Sequence, residues 1–152
     1  MRWLVIGYGN PLRRDDGLGH YLARCVQRAR LPHVEVQLEI ELLPELSLEL
    51  RRAPRVLFVD ASLDPSVLGV QLTRLPATPA ELSDQTRREQ APVSHVGGPA
   101  SLLSTCMALY GAMPEGHALA ISGYDLGFGV GLSRAARRNL RRARQIAFEL
   151  LR

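Results

Sequence analysis

The sequence contains no lysine: all 19 basic residues are arginine, against 15 acidic residues, which gives a formal net charge of +4. Aromatic residues make up only 5% of the chain. A basic protein can bind the phosphates of a nucleic acid, but here the arginines are spread over several segments and few aromatic side chains are present to stack on bases. No RNP-like or helix-turn-helix pattern occurs. We therefore expect no nucleic-acid partner.

Long hydrophobic runs and a cysteine framework are also missing. No apolar run approaches the roughly 20 residues that a membrane-spanning helix needs, and the run Trp3–Ile6 is too short for a signal peptide. These absences predict a cytoplasmic protein with no membrane partner. The two cysteines, Cys25 and Cys106, fall on apolar faces of predicted helices. We expect buried free thiols there rather than a disulfide.

The N-terminal stretch combines the strongest structural and chemical signals in the chain. The apolar run Trp3–Ile6 predicts a buried strand that ends at Gly7 and Gly9. Apolar residues then recur with helical spacing over Leu18–Ala29, which predicts an amphipathic helix. A strand, a glycine turn and a helix form the first half of a βαβ unit. Asp16 lies just before the helix, where open α/β sheets usually place their sites.

The rest of the chain continues to alternate between strand and helix patterns. Strands are predicted over 34–40, 56–59, 67–75 (a shorter, antiparallel edge strand) and 119–123, and helices over 44–52, 99–110 and 133–150. The polar, proline-containing stretch 76–92 predicts a long loop. The expected fold is α/β: a single-domain three-layer sandwich over residues 1–152, phosphorylase/hydrolase-like, with about five mostly parallel strands and helices on both faces.

Three side chains could form one site at the carboxyl edge of this sheet. Asp16 follows the first strand, Asp60 ends the strand at 56–59, and His95 precedes the helix at 99–110. Two carboxylates and an imidazole suit Zn, Ni, Mn or Fe and leave positions open for water or substrate. Each residue also has a structural alternative: Asp16 could cap a helix, Asp60 could hold a loop amide and His95 could be solvated. Their common edge favours a metal and catalytic site.

Other polar residues of the chain receive structural interpretations. Asp15 is expected to support the site or cap a helix. We expect His20, His33 and His117 to be exposed to solvent.

A dinucleotide site is the main alternative for the N-terminal stretch. Gly7 and Gly9 match two positions of the GxGxxG fingerprint, but the third position is Leu12 and the turn before the helix is longer than a pyrophosphate loop.

The chain resembles the [NiFe]-hydrogenase maturation endopeptidases over nearly its whole length. The resemblance rests on Gly7–Gly19 (GYGNPLRRDDGLG), on Phe58–Ala61 (FVDA), on Ser94-His95 before a proline-containing helix start, and on Gly123–Ser133. By this resemblance Asp16, Asp60 and His95 match the metal-binding carboxylates and histidine of the family. The sequence departs from the family pattern at Glu41, where similar relatives have Gln, and at Arg14, where a small or acidic residue is common.

The resemblance implies a function and a partner. It implies an endopeptidase that removes the C-terminal extension of a hydrogenase large-subunit precursor once nickel has been inserted. The nickel is supplied by the substrate and is read by Asp16, Asp60 and His95; Zn or Cd can substitute in crystals. A monomer is expected. Two alternatives stay open: a nucleotide- or dinucleotide-binding enzyme that uses the Gly7–Gly9 turn, and a metal-sensing chaperone that holds the precursor without cutting it.

Overall fold

The computed structural model describes residues 2–89 and 97–152. Its strands are Trp3–Tyr8 (β1), Val34–Glu39 (β2), Arg55–Ser62 (β3), Val70–Arg74 (β4) and Glu115–Ser122 (β5). They form one sheet in the order β2-β1-β3-β5-β4. The first four in this order are parallel, and β4 is an antiparallel edge strand, as predicted.

The helices cover both faces of the sheet. They are Leu18–Ala29 (α1), Ser47–Leu50 (α2), Pro79–Glu89 (α3), Pro99–Tyr110 (α4) and Arg134–Leu150 (α5), with short 3₁₀ helices at Arg14–Gly17 and Pro44–Leu46. Along β1, Trp3 and Val5 pack in one core with α1 and α5, while Leu4 and Ile6 pack in the other with the remaining helices. Both sides of the strand are apolar because both are buried. The predicted α/β fold is confirmed.

The predicted loop over 76–92 is wrong in its described part, because Pro79–Glu89 forms α3. Thr78 and Glu81 have the spacing of a capping box and together cap α3: the Thr78 hydroxyl accepts a hydrogen bond from the Glu81 amide (3.3 Å) and donates one to its carboxylate (2.9 Å). Pro79 takes the first helical position, where proline is tolerated. The helix buries only Leu82, so the sequence shows almost no helical periodicity there.

The last strand is longer than predicted. β5 begins at Glu115 rather than at Leu119, because it pairs with β3 from Arg55 onward. The apolar run is interrupted by Gly116, which has a packing role: an added Cβ would lie 2.8 Å from the Leu103 side chain. A glycine in a strand here marks close packing of a helix, not a loop.

The prediction of solvent-exposed histidines is wrong for His20, His33 and His117. His20 is buried and its Nε2 contacts the Glu39 carbonyl oxygen at 2.7 Å. His33 Nε2 contacts the Leu151 carbonyl oxygen, also at 2.7 Å. His117 lies in β5 with a side chain only 12% exposed, next to the Trp3 ring. Each imidazole packs against a segment distant in sequence, which local patterns do not reveal.

The remaining predictions made from composition concern the two cysteines and membrane-spanning helices. Cys106 is buried and Cys25 is half-buried, and both are free thiols. No helix within the described residues is long and apolar enough to cross a membrane.

Candidate active site

Asp16 and Asp60 lie together at the carboxyl edge of the sheet. The chain leaves β1 toward β2 on one side and returns to β3 on the other, so the crevice between β1 and β3 is the topological switch point. Open α/β sheets bind their ligands at such a crevice. Asp16 follows β1, and Asp60 lies near the end of β3. The predicted pairing of these carboxylates is therefore found at the place where the topology favours a site.

A tight glycine turn positions Asp16. Gly9 has φ of +127°, and an added Cβ would lie 2.2 Å from the Asp16 carbonyl oxygen. Only glycine fits this position. The Asn10 amide donates a hydrogen bond of 2.8 Å to Asp16 Oδ2. The side chain does not cap α1, which has no side-chain cap, so the helix-cap alternative for Asp16 is not what the structure shows.

Asp60 is half-buried and electrostatically unusual. Burial, together with the neighbouring negative charge of Asp16, raises its pKa to about 7, although hydrogen bonds from the Ala61 amide and the Tyr8 hydroxyl act in the opposite direction. Neither carboxylate takes part in an ion pair of the described residues. Two adjacent acids without a cation favour either a shared proton or a bound positive ion.

Tyr8 and Glu89 also reach this site, and sequence reasoning missed both. Gly7 pairs with Val59, so Tyr8 and Asp60 are the next neighbours along the two strands. Both side chains lie on the same face of the sheet as the core residues Leu4 and Ile6. Burial and the charges of Asp60 and Glu89 raise the pKa of the Tyr8 hydroxyl. Side chains alternate between the two faces of a strand, so the position of Tyr8 on the same face as Asp60 is the signal that could have identified it.

Glu89 ends α3 and binds the start of α4. Its two carboxylate oxygens accept hydrogen bonds from the Ala100 and Ser101 amides, each at 3.2 Å. An added Cβ at Gly98 would lie 2.6 Å from the Glu89 carboxyl carbon, so glycine leaves the space that the acid fills. A carboxylate at a helix N-terminus is favourable. Burial nevertheless raises the pKa of Glu89.

His95 lies outside the described residues, so its predicted place in the site stays a prediction. Within the described ranges, 2–89 and 97–152, no group of three or more His, Cys, Asp or Glu side chains could hold a metal ion. The described part of the site is therefore an acidic pair, Asp16 and Asp60. This pair has the carboxylate oxygens and, with no ion pair inside the described ranges, the negative charge that a divalent cation requires.

Asp15 anchors the segment next to Asp16, which agrees with its predicted supporting role. It is fully buried, and its Oδ2 accepts hydrogen bonds from the amides of Tyr124 (2.8 Å) and Asp125 (3.0 Å) and from the Ser133 hydroxyl (2.7 Å). Its Oδ1 accepts one from the Ser133 amide (2.7 Å). Asp15 thus ties the segment that carries Asp16 to the loop before α5. Arg14 adds an ion pair with Asp125 at 3.8 Å.

The geometry does not favour a dinucleotide at the Gly7–Gly9 turn. An added Cβ at Gly7 would lie 2.3 Å from the Gly19 carbonyl oxygen, and one at Gly19 would lie 2.4 Å from the Val59 carbonyl oxygen. These glycines let α1 approach the sheet. Asp16, next to the start of α1, would repel a pyrophosphate.

Solved structures share this fold over the whole chain. The [NiFe] hydrogenase maturation protease HybD from Thermococcus kodakarensis aligns over 100% of both chains with a TM-score of 0.75 and 21% identity. The hydrogenase maturating endopeptidase HybD from E. coli aligns over 99% of this chain and 92% of its own, with a TM-score of 0.75 and 18% identity. The hydrogenase 2 maturation peptidase from Thaumarchaeota archaeon SCGC_AB-539-E09 aligns over 99% and 98%, with a TM-score of 0.70 and 20% identity.

The fold defines a class: α/β proteins with the hydrogenase maturation protease fold. The names of the similar structures agree with the family predicted from the sequence motifs. No protein-family model and no curated protein matches the sequence. At these identities the likeness shows the fold, and the activity is a separate inference.

Proposed function

We propose that the protein is an endopeptidase that removes the C-terminal extension of a [NiFe]-hydrogenase large-subunit precursor after nickel insertion. The observation that carries this proposal is the pair of interacting carboxylates, Asp16 and Asp60, which form no ion pair within the described residues and lie at the switch point of a sheet with the fold of maturation proteases. Fold alone does not define activity, so the acidic pair is the necessary second element.

In this proposal the nickel belongs to the substrate. Asp16, Asp60 and His95 bind the nickel that the precursor already holds, which positions the scissile peptide at the carboxyl edge of the sheet. The acidic pair favours a loaded precursor because a divalent cation relieves the repulsion between the two carboxylates. A precursor without nickel leaves that repulsion in place. Cleavage is then restricted to substrate that has completed metal insertion.

The described residues supply the groups that peptide hydrolysis needs. The attacking water requires a base within hydrogen-bond reach, and Asp16 and Asp60 are the carboxylates at this place. Tyr8 donates a hydrogen bond to Asp60 and thereby fixes the orientation of the carboxylate. Asp15 holds the backbone on which Asp16 lies. We propose a metal-directed attack by this water.

The experiment is a cleavage assay on nickel-loaded precursor with single variants. We expect Asp16→Asn, Asp60→Asn and His95→Ala to lose at least about a hundredfold in kcat/KM, because each removes a group that acts on the reacting centre. Asp84→Asn is the matched control: Asp84 is exposed on α3 and, among the described residues, forms its ion pair with Arg87, so the activity of this variant should equal that of the wild type. Full activity of Asp16→Asn or Asp60→Asn would contradict the assignment.

The same assay separates the peptidase from a chaperone. A chaperone that holds the precursor would bind it and leave its tail intact after long incubation. Mass spectrometry of the precursor after incubation with the wild-type protein decides between them, since the peptidase proposal requires a shortened chain and a released peptide.

A further inference from the structure

The positive charge of the protein is concentrated in one helical layer. Together α1 and α5 contain eight arginines and one glutamate, a net charge of +7, so the other parts of the chain sum to −3 against the total of +4. All eight arginines are exposed. We call them the arginine face: Arg24, Arg28, Arg134, Arg137, Arg138, Arg141, Arg142 and Arg144.

Within the described part of the chain, no ion pair neutralises the arginine face. None of its members takes part in an ion pair of the described residues, although Arg52, Arg74 and Arg87 elsewhere on the surface do. A concentrated field of one sign attracts and orients a partner of opposite sign. The partner chemistry that fits is therefore an acidic surface.

An apolar patch lies beside the site, next to the start of α5. We call Leu12, Phe128 and Val130 the apolar rim; they are 63%, 89% and 73% exposed. Two hydrogen bonds hold it in place: the Gly129 amide donates to the Leu12 carbonyl (2.8 Å), and the Arg14 amide donates to the Gly129 carbonyl (3.0 Å). A group of large exposed apolar side chains is typical of interaction surfaces.

The rim, Asp16 and the start of α5 are joined through neighbouring segments of the chain. The Leu12–Arg14 segment runs directly into Asp16, and α5 begins one residue after Ser133, whose amide and hydroxyl bind Asp15. These connections place the rim and the first turn of α5 near the segment that carries Asp16. An apolar centre with arginine around it is the usual composition of protein interfaces.

We propose that the apolar rim and the arginine face form one docking surface for the hydrogenase precursor, with an apolar segment of the precursor on Phe128 and an acidic surface of the precursor on α5. This inference rests on the proposed function. A protein partner is favoured over a nucleic acid because α5 contains a single aromatic residue, Phe148, which already lies under Arg144 at 5.7 Å from its ring centre. No free aromatic ring of α5 is left for base stacking.

Two variants and two matched controls test this surface. The triple variant Arg137→Glu/Arg138→Glu/Arg141→Glu reverses the face, and Arg52→Glu/Arg74→Glu/Arg87→Glu makes the same change in net charge elsewhere. Phe128→Ser removes the rim aromatic, and Leu109→Ser removes a comparably exposed apolar residue of α4, 62% exposed. Cleavage of nickel-loaded precursor gives KM and kcat, and interferometry with immobilised precursor gives Kd without requiring cleavage.

We expect the arginine-face variant to raise KM and Kd by about tenfold at low salt and to leave kcat within about twofold, since surface charges act on association. Added salt should weaken wild-type binding and have little effect on this variant. Phe128→Ser should raise Kd by about fivefold or more. Both controls should behave like the wild type.

The outcomes separate this inference from the proposed function. Binding without cleavage by the wild type would contradict the peptidase, and weaker binding by the two test variants than by their controls would then still support the docking surface. Cleavage with unchanged KM in both test variants would contradict the docking surface and leave the peptidase standing. Two other results would overturn the docking surface. One is an equal loss of precursor binding in the arginine control. The other is a triple variant that loses binding to RNA or anionic vesicles but still binds the precursor. If the wild type neither binds nor cleaves, both are wrong.

Discussion

Replacing Asp15 with Asn tests whether this residue holds the active-site segment in place. The buried carboxylate accepts four hydrogen bonds of 2.7 to 3.0 Å. Asn offers one acceptor oxygen, so it retains at most the bonds to Oδ2, without the charge, and turns an N–H toward the Ser133 amide. A hydrogen bond to a charged group contributes about 1.5–3 kcal/mol and an unsatisfied buried donor costs about 1–3 kcal/mol. We therefore expect a loss of about 4 kcal/mol in unfolding free energy.

The pH dependence of stability gives a second, independent test of this prediction. Burial raises the pKa of Asp15, but the hydrogen bonds from Asp125, Ser133 and Tyr124 outweigh it and hold the pKa below its ordinary value of 3.8. As the pH falls, the unfolded chain therefore binds this proton before the folded chain does. The stabilisation by Asp15 is complete above the ordinary pKa and is lost as the pH falls through the folded-state pKa.

Urea unfolding followed by circular dichroism measures both effects. The difference between the wild type and Asp15→Asn should be largest near neutral pH and should shrink below about pH 4. Asp84→Asn, an exposed control, should change stability by less than about 0.5 kcal/mol. If Asp15→Asn unfolds at the wild-type urea concentration at neutral pH, the four hydrogen bonds do not stabilise the fold and the reasoning is refuted.

Three further changes have definite expected outcomes. Gly19→Ala should lower the unfolding free energy by about 2–4 kcal/mol, because its Cβ would lie 2.4 Å from the Val59 carbonyl oxygen; a melting temperature equal to that of the wild type would contradict this packing. Burial lowers the pKa of His117 from 6.5. The nearby charges of Arg74 and Arg55 act in the same direction, and Glu115 acts against them. Stability should thus fall as the pH drops below 6.5, and His117→Phe should remove that part of the dependence in urea titrations at several pH values. Ser133→Ala should cost about 2–4 kcal/mol, because the hydroxyl accepts from the Ala136 amide at 3.2 Å as the N-cap of α5 and donates to the buried Asp15 carboxylate at 2.7 Å; a thermal melt unchanged from wild type would rule this out.

Local patterns were sufficient for most of the fold. The periodicity of β1 and α1, the apolar run of β3 and the Ser133 cap of α5 each reflect interactions within one element, so they can be read without knowing the neighbours. α3 was missed because it buries one side chain, although the capping-box spacing of Thr78 and Glu81 is a local signal that could have revealed it.

The candidate site was predictable in part for the same reason. Asp16 and Asp60 follow recognisable strands, and parallel strands bring their carboxyl ends to one edge. The roles of Asp15 and Glu89 depend on amides more than ten residues away in sequence, at Ser133 and Ala100. Sequence spacing does not specify such partners, and the same is true of the carbonyl that His20 contacts.

The central claim is that the acidic pair binds the nickel held by the substrate, so that cleavage depends on nickel. The measurement that tests it most directly compares cleavage of nickel-loaded and nickel-free precursor by the same preparation, with products identified by mass spectrometry. We predict cleavage of the loaded precursor only, and loss of that cleavage in Asp16→Asn and Asp60→Asn. Equal cleavage of both precursors by the wild-type protein would contradict the claim.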